Sequence, residues 1–279
     1  MMLSIGDLLT DITIVPEEPL RVDDDNPAAI TLGGGGQAAN FCAWAAKLGE
    51  PARLITRVGD DHGGHLLVAE IEAQGVDVRA VWAADPTGAI VVLVGPHSER
   101  TMLTQRGASI GLRPEDIRAE WFEGVRLLHV PAYSLFKDPL AMAARAAITV
   151  ARHGGALLAV DLSSVAGLQE YGPARMAAFL MDLEPDLLFA TSAEEETLGI
   201  PLERVAKIPV VKLGAAGSRV MGHVIPSPLV DEVDTTGAGD ALAAAFCSAY
   251  LRGASPIEAA RHAVEVAASA VTTVGARPR

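Results

Sequence analysis

Beyond residue 112, short apolar runs alternate with amphipathic segments, and this alternation most restricts what the chain can fold into. The runs RLLHVPA, ALLAVDLSS, DLLFAT and PVVKLG predict strands, and segments such as PLAMAARAAITVAR and DALAAAFCSAYL predict helices. Strands that alternate with helices are typical of a parallel sheet covered on both faces. The sequence therefore predicts an α/β fold with a central, mostly parallel sheet and helices on both faces.

Two regions are poor in helix and predict a small β layer that stands off the main sheet. They cover about residues 12–32 and 78–105, and the second contains the strand-like runs VRAVWAA, AIVVLV and RTMLTQ around a turn at GPHSE. The chain shows no internal repeat and no low-complexity linker. We therefore expect residues 1–279 to form a single domain.

Composition excludes several function classes. Hydrophobic residues make up 50% of the chain and the net charge is −13, which is typical of a globular protein without a nucleic-acid surface. The only cysteines, Cys42 and Cys247, do not indicate a disulfide framework. No basic residue precedes Arg21, and no apolar run reaches the ~18 residues of a membrane span. We expect a cytoplasmic protein with no membrane or nucleic-acid partner.

The segment DTTGAGDALAAAF, residues 234–246, combines a glycine turn with the start of a helix. Gly237 and Gly239 permit positive φ, so that successive N–H groups can converge on an anion at the helix start. Asp240 follows directly. It is either a general base beside a bound phosphate or a charge that complements the helix dipole. The chain has no GxxxxGK[ST] motif, so a P-loop is excluded.

Two further segments carry candidate ligands for hydroxyl groups. GGGGQAAN, residues 33–40, is a loose match to a dinucleotide fingerprint, but a poor strand precedes it. Within it, Asn40 is either a ligand for a hydroxyl-rich molecule or a helix cap. Asp11, just after the first strand, either binds vicinal hydroxyls or is a solvated loop residue.

Other polar residues give weaker signals. His62 and His65 lack partners at metal spacing, which disfavours a zinc site. Glu194 begins an acidic run at a helix start, where it either complements the dipole or orients a Mg²⁺-bound water.

Taken together, the motifs resemble those of the ribokinase-like (PfkB) carbohydrate kinases, over essentially the whole chain. The closing signature is Asp234-Thr235-Thr236-Gly237-Ala238-Gly239-Asp240, and the opening one is Gly35-Gly36-Gln37-Ala38-Ala39-Asn40. Val58-Gly59-Asp60-Asp61 and Lys212-Leu213-Gly214 also lie in family order. The resemblance implies a ribokinase-like fold with a small β-sheet lid formed by the two helix-poor regions. It implies ATP-dependent phosphorylation of a sugar or nucleoside hydroxyl, a primary one, with Mg²⁺.

The resemblance also implies a role for each signature residue. Asp240 would be the general base, beside an anion hole made by Gly237, Ala238 and Gly239. The residues that would hold substrate hydroxyls are Asp11, Gly35, Gly36 and Asn40. Those that would border the nucleotide are Lys212, Gly214, Gly217 and Thr191. Glu194 would be linked to the metal.

Some expectations come only from parts of the family, and some positions depart from its pattern. Parts of the family use a monovalent cation such as K⁺ or form a homodimer through the lid, so the resemblance implies both as expectations. Thr191 and Val264 stand where the family often has Asn. Two alternatives remain open: a catalytically silent sugar- or nucleoside-binding module on the same fold, and a nicotinamide-dependent oxidoreductase that uses GGGGQ.

Overall fold

Two β-sheets organise the chain in the computed structural model, which describes residues 1–95 and 100–278. The strands, in chain order, are β1 (Met2–Ile5), β2 (Leu9–Pro16), β3 (Ala28–Gly35), β4 (Ala52–Gly59), β5 (Val76–Ala83), β6 (Thr87–Val94), β7 (Arg100–Gly107), β8 (Leu127–Pro131), β9 (Leu157–Asp161), β10 (Leu187–Thr191), β11 (Ile208–Lys212), β12 (Ser218–Val220) and β13 (His223–Ile225).

The large sheet has nine strands in the order β13-β12-β11-β10-β9-β8-β1-β4-β5. The pairs from β11 through to β5 are all parallel, whereas β12 and β13 add an antiparallel hairpin at one edge. This confirms the predicted, mostly parallel sheet. It also brings the carboxyl ends of the parallel strands to one edge, where ligands bind in open α/β sheets.

Helices cover both faces of the large sheet, as the alternating pattern predicts. They are α1 (Gln37–Lys47), α2 (His62–Ala73), α3 (Leu140–His153), α4 (Val165–Tyr171), α5 (Pro173–Leu183), α6 (Ser192–Leu198), α7 (Ala238–Leu251) and α8 (Pro256–Ala270). One core includes Phe41 and Phe246, from α1 and α7. The other includes Leu140 and Met176, from α3 and α5. Among the described helices, none is both long and apolar enough to cross a membrane.

The small sheet has four strands in the order β3-β2-β6-β7. Its central pair, β2 and β6, is parallel, and the two outer pairs are antiparallel. The hairpin expected from AIVVLV and RTMLTQ is therefore present as β6 and β7. The predicted turn at residues 95–99 lies, except for Gly95, outside the described residues.

The predicted boundary of the small β layer differs from the structure at one strand. Residues 76–83 form β5, which pairs in parallel with β4 from Ala52↔Val76 to Gly59↔Ala83 and so belongs to the large sheet. The reason is topological, because α2 connects β4 to β5 and completes a β-α-β crossover. The second part of the small sheet therefore begins at Thr87 and not at residue 78.

Candidate active site

The glycine turn of the closing signature forms the start of α7. Gly237 is the N-cap residue with φ 76°, and a Cβ added there would lie 2.2 Å from the carbonyl oxygen of Ala276. Asp234 holds the same turn, because one of its carboxylate oxygens accepts the Thr236 N–H at 2.9 Å and the other accepts the Gly275 N–H at 3.0 Å. The helix start is thus fixed against the segment that follows α8.

The first N–H groups of α7 are the candidate anion donors. Gly239 lies in the first turn, where an N–H has no carbonyl partner within its own helix. The Ala238 N–H donates to the carbonyl of Thr235, at a long 3.3 Å. The N–H of Gly239 is therefore more available to a bound anion than the N–H of Ala238. Both lie at the positive end of the helix dipole.

Asp240 lies one residue further along α7 and is half-buried. Its Oδ2 accepts a hydrogen bond from Asn40 Nδ2 at 2.9 Å, although the two residues are 200 positions apart. Burial raises the pKa of Asp240 to about 7, although hydrogen bonds from Asn40 and Gln37 oppose the rise. The nearby charges also act in opposite directions, since Asp161 raises this pKa and Lys212 lowers it. A carboxylate with this pKa can take up a proton near neutral pH.

Asn40 is a buried residue of α1 that faces the site. It is not a helix cap, because Gly36 occupies the N-cap position of α1. Its Oδ1 accepts from Arg277 Nε at 3.2 Å, and Arg277 Nη2 also donates to the Gly35 carbonyl at 2.7 Å. Arg277 lies in a short irregular segment without a motif, so nothing in the sequence marks it as a site residue.

Asp11 lies within β2, opposite Gly33, and not in the solvated loop that was the alternative. Its Oδ1 is buried without a hydrogen-bond partner among the described residues. Burial raises the pKa of Asp11 to about 6, and the charge of Arg277 opposes that rise. A Cβ added to Gly35 would lie 2.2 Å from Oδ1, so this glycine leaves room for the carboxylate.

Gly36 connects the opening signature to the end of β1. Its φ is 99°, and a Cβ there would lie 2.3 Å from the carbonyl oxygen of Asp7. The carboxylate of Asp7 in turn binds Arg106 of β7 through two hydrogen bonds, at 2.8 and 2.9 Å. Arg106 therefore joins the small sheet to the edge of the large sheet where the candidate residues lie.

A buried ion pair lies beneath the α7 turn. Lys212 ends β11 and Asp161 ends β9, and their Nζ and Oδ2 atoms are 2.6 Å apart. Burial acts to lower the pKa of Lys212, but the carboxylates of Asp161, Glu194 and Asp240 raise it above its usual value. A Cβ added to Gly239 would lie 3.3 Å from Lys212 Nζ. The ammonium group is therefore a fixed positive charge beside the candidate anion donors.

Thr191 and Glu194 form a capping box at the start of α6. The Thr191 N–H donates to Glu194 Oε2 at 2.7 Å, and the Glu194 N–H donates to Thr191 Oγ1 at 3.3 Å. Burial and the charge of Asp161 raise the pKa of Glu194. Glu194 therefore lies at the start of α6, where its charge complements the helix dipole as predicted. Its Oε2 is used by the capping box, and its Oε1 remains available for another partner. Among residues 1–95 and 100–278, no three His, Cys, Asp or Glu side chains cluster as a metal site.

A pocket of about 290 Å³ opens beside the α7 turn. All four residues predicted to border the nucleotide line it: Thr191, Lys212, Gly214 and Gly217. Two residues of the predicted anion hole, Ala238 and Gly239, line it as well. Leu242, Ala267 and Val271 contribute to its apolar wall. Val264, which stands where the family often has Asn, does not line this pocket but is buried in the core on α8. The position one helical turn later, Ala267, faces the pocket instead.

Comparisons with solved structures show to which class of protein the fold belongs. The adenosine kinase from Sinorhizobium meliloti superimposes with a TM-score of 0.88 at 27% identity, covering 99% of this chain and 95% of that one. An uncharacterized sugar kinase from Pyrococcus horikoshii, solved in complex with ATP, gives a TM-score of 0.83 at 25% identity over 100% and 95% of the two chains. The protein therefore has the fold of the ribokinase-like kinases.

Sequence relationships identify the family within that class. The pfkB family carbohydrate kinase model matches residues 1–279. The ATP-dependent ribose-1-phosphate kinase of Halopiger xanaduensis is 32% identical over 289 residues, covering 99% of this chain and 93% of the relative. The chain belongs to the pfkB family of carbohydrate kinases, and it is an ATP-binding phosphotransferase.

Proposed function

We propose that the protein transfers the γ-phosphoryl group of ATP to a primary hydroxyl of a sugar or nucleoside, with Asp240 as general base. The observation that carries this proposal is the contact between Asp240 Oδ2 and Asn40 Nδ2 at 2.9 Å. It joins the anion-binding turn of α7 to the segment expected to hold substrate. A hydroxyl bound next to Asn40 is thus within reach of a carboxylate whose pKa is about 7.

The phosphoryl group is expected to lie over the start of α7. The Gly239 N–H and the helix dipole favour negative charge there, and Lys212 Nζ adds a positive charge beside them. Such preorganised groups stabilise charge on the phosphoryl oxygens in the transition state. The pocket beside the turn accommodates the rest of the nucleotide, with phosphates at Gly214 and the base against Ala267.

Glu194 is the residue proposed to hold Mg²⁺. Because Mg²⁺ is usually held by one or two carboxylates together with substrate phosphates, the absence of a three-ligand cluster among the described residues agrees with such a site. Glu194 offers a carboxylate whose Oε2 is oriented by the Thr191 N–H. When bound, the metal neutralises negative charge on the phosphates. A monovalent cation such as K⁺ is a further proposed cofactor.

The substrate class follows from unpaired acceptors near the base. Asp11 Oδ1 and Gln37 Oε1 are both buried without a partner in the described part of the chain, although the Gln37 side chain also reaches Asp240. Buried acceptors of this kind are normally satisfied, and the hydroxyls of a polyol would satisfy them. The relatives that act on ribose 1-phosphate and on adenosine both have substrates with a ribose ring. We therefore propose a ribose-containing substrate as the first class to test.

The test is a coupled assay of ATP consumption with a panel of sugars, sugar phosphates and nucleosides, in K⁺ and in Na⁺ buffers with Mg²⁺. Asp240→Asn should retain its fold and its affinity for the active substrate but lose about 10²–10⁴-fold in turnover, because a general base contributes on that scale. Near-full activity of Asp240→Asn would overturn the role of the base. Tight binding of a panel member without turnover by the wild type would favour the silent binding module.

Edge strands of the small sheet support a proposed homodimer. Ile30 and Leu32 on β3, and Met102 and Leu103 on β7, each have between 59% and 69% of their surface exposed. Such edges can pair with a second copy of the chain. Sedimentation should show a dimer for the wild type and a monomer for the double variant Ile30→Lys and Leu32→Lys. A wild-type monomer at assay concentration would contradict this proposal.

A further inference from the structure

Arg277, in the segment after α8, is a buried cation at the site that takes no part in the proposed phosphoryl transfer. Only 9% of its surface is exposed. Burial lowers its pKa to about 10, so the guanidinium remains charged at neutral pH. It makes two hydrogen bonds within the site, from Nε to Asn40 Oδ1 at 3.2 Å and from Nη2 to the Gly35 carbonyl at 2.7 Å.

The chemistry of these groups allows the Asn40 amide only one orientation. A guanidinium has donors only, and an ionised carboxylate has acceptors only. An amide between them must therefore turn its oxygen to Arg277 and its NH₂ group to Asp240, as the contacts of 3.2 and 2.9 Å show. Without the guanidinium, the amide oxygen loses its donor, and the amide can turn that oxygen toward Asp240 whenever the carboxyl group is protonated and donates a hydrogen bond.

We propose that Arg277 is a positioning residue for the base, holding the Asn40 amide so that its NH₂ group always faces Asp240. The kinetic side of this proposal rests on the proposed function. The structural side does not, because the relay Arg277–Asn40–Asp240 is present whatever the substrate.

The residue before Arg277, Ala276, is anchored both to α1 and to the start of α7. The carbonyl of Ala276 accepts from Trp44 Nε1 at 3.1 Å, and the same residue packs against Gly237. Arg277 Nη1 lies over Gly34, where an added Cβ would be 2.1 Å away. A substitution of Gly34 can therefore displace the guanidinium without changing Arg277 itself.

Other charges also face Asp240, and the test must separate them from Arg277. They are Asp161 at the end of β9 and Lys212 at the end of β11. The charge of Arg277 itself also acts on Asp240 directly. A loss of charge and a loss of orientation therefore have to be distinguished by comparing Arg277→Met with Arg277→Lys, because lysine keeps the charge but not the geometry of Nε.

The first experiment measures the pH dependence of kcat/KM with the active substrate. Arg277→Met and Gly34→Ala should move the acidic limb upward by about one pH unit, the scale expected for a neighbouring charge or hydrogen bond. They should lower kcat and leave the KM for ATP unchanged. Arg277→Lys should restore only part of the shift. Arg261→Met removes the same charge from the exposed face of α8 and is the matched control, with no shift expected.

The second experiment does not depend on kinase activity. The carboxyl carbon of Asp240 is titrated by ¹³C NMR in protein labelled at aspartate, with its resonance assigned by Asp240→Asn. Arg277→Met should raise the measured pKa of Asp240 in the protein that retains Asn40. It should have a much smaller effect on that pKa in protein that also carries Asn40→Ala. An equal shift in both backgrounds, full restoration by Arg277→Lys, or no shift in a folded Arg277→Met protein would each overturn the proposal.

Discussion

Lys212 Nζ lies 2.6 Å from Asp161 Oδ2, and Asp161 is fully buried. This pair joins the carboxyl ends of β11 and β9 directly below the start of α7. Glu194 and Asp240 also act on the same ammonium group. The candidate site therefore contains one lysine among three carboxylates, and each of its charges depends on the others.

Removal of one partner from this pair should destabilise the protein strongly. Lys212→Met should lower the free energy of unfolding by about 3–5 kcal/mol, because it leaves the fully buried Asp161 without its partner charge. Urea denaturation measures the effect. Lys207→Met is the matched control, since Lys207 is mostly exposed in its 2.7 Å pair with Asp186 and should cost at most about 1 kcal/mol. Similar losses at both pairs would contradict the prediction.

Two carboxylates with raised pKa values should shape the pH profile. The pKa values of Asp240 and Asp11 are about 7 and about 6. Asp240 must be ionised to take the substrate proton, and Asp11 accepts hydrogen bonds from substrate hydroxyls through both oxygens only when it is ionised. As pH falls, kcat/KM should decline below about 7 and decline more steeply below about 6. Asp11→Asn should weaken substrate binding and remove the steeper decline below about pH 6. The plot of log(kcat/KM) against pH should then have a single acidic limb of unit slope. A flat wild-type profile from pH 5 to 8 would be incompatible with this assignment.

Gly237 should tolerate no side chain. Gly237→Ala combines a positive φ of 76° with a Cβ placed 2.2 Å from Ala276 O, so both strain and a backbone clash result. Gly222→Ala is a suitable control, because its φ is 75° and nothing lies within 4 Å of the added Cβ. We expect Gly222→Ala to lose about 1–2 kcal/mol. Gly237→Ala should lose more stability than Gly222→Ala and should also lose most of the turnover. Thermal denaturation measures the stability of both variants, and equal losses would contradict the described packing at Gly237.

The pocket beside α7 should govern affinity for the nucleotide. Ala267→Phe fills part of the apolar wall, so the KM for ATP should rise about tenfold, equivalent to roughly 1.4 kcal/mol. The KM for the sugar or nucleoside should remain unchanged. Ser269→Phe places the same ring on the exposed side of α8 and should leave both constants unchanged. If Ala267→Phe changed only the KM for the sugar or nucleoside, the nucleotide would not bind in this pocket.

The sequence predicts those parts of the molecule that depend on local chemistry. The alternating pattern predicts the parallel sheet because buried strands and amphipathic helices have different periodicities. Glycines mark the turn at Gly237, where no other residue fits. Asp240 and Asn40 follow such glycines, so both could be identified as candidates before their contact was known.

Long-range contacts explain what the sequence does not predict. The strand pattern of residues 76–83 is the same whichever sheet they join, and only the crossover through α2 assigns them to the large sheet. Arg277 and Asp161 reach the site from segments without a motif, so their importance appears only in the distances to Asn40 and Lys212. Val264 lies one helical turn from the pocket wall, an offset that depends on how α8 is rotated.

The contact between Asn40 and Asp240, supported by Arg277, has a consequence for the order of events during biosynthesis. The ribosome makes α1 early, whereas α7 and the arginine are made more than 190 residues later. A nascent chain that already contains the opening glycines therefore lacks both the proposed base, Asp240, and the arginine that contacts the Asn40 amide. Chains that end before α7 should therefore consume no ATP, and full activity should require the segment that carries residue 277.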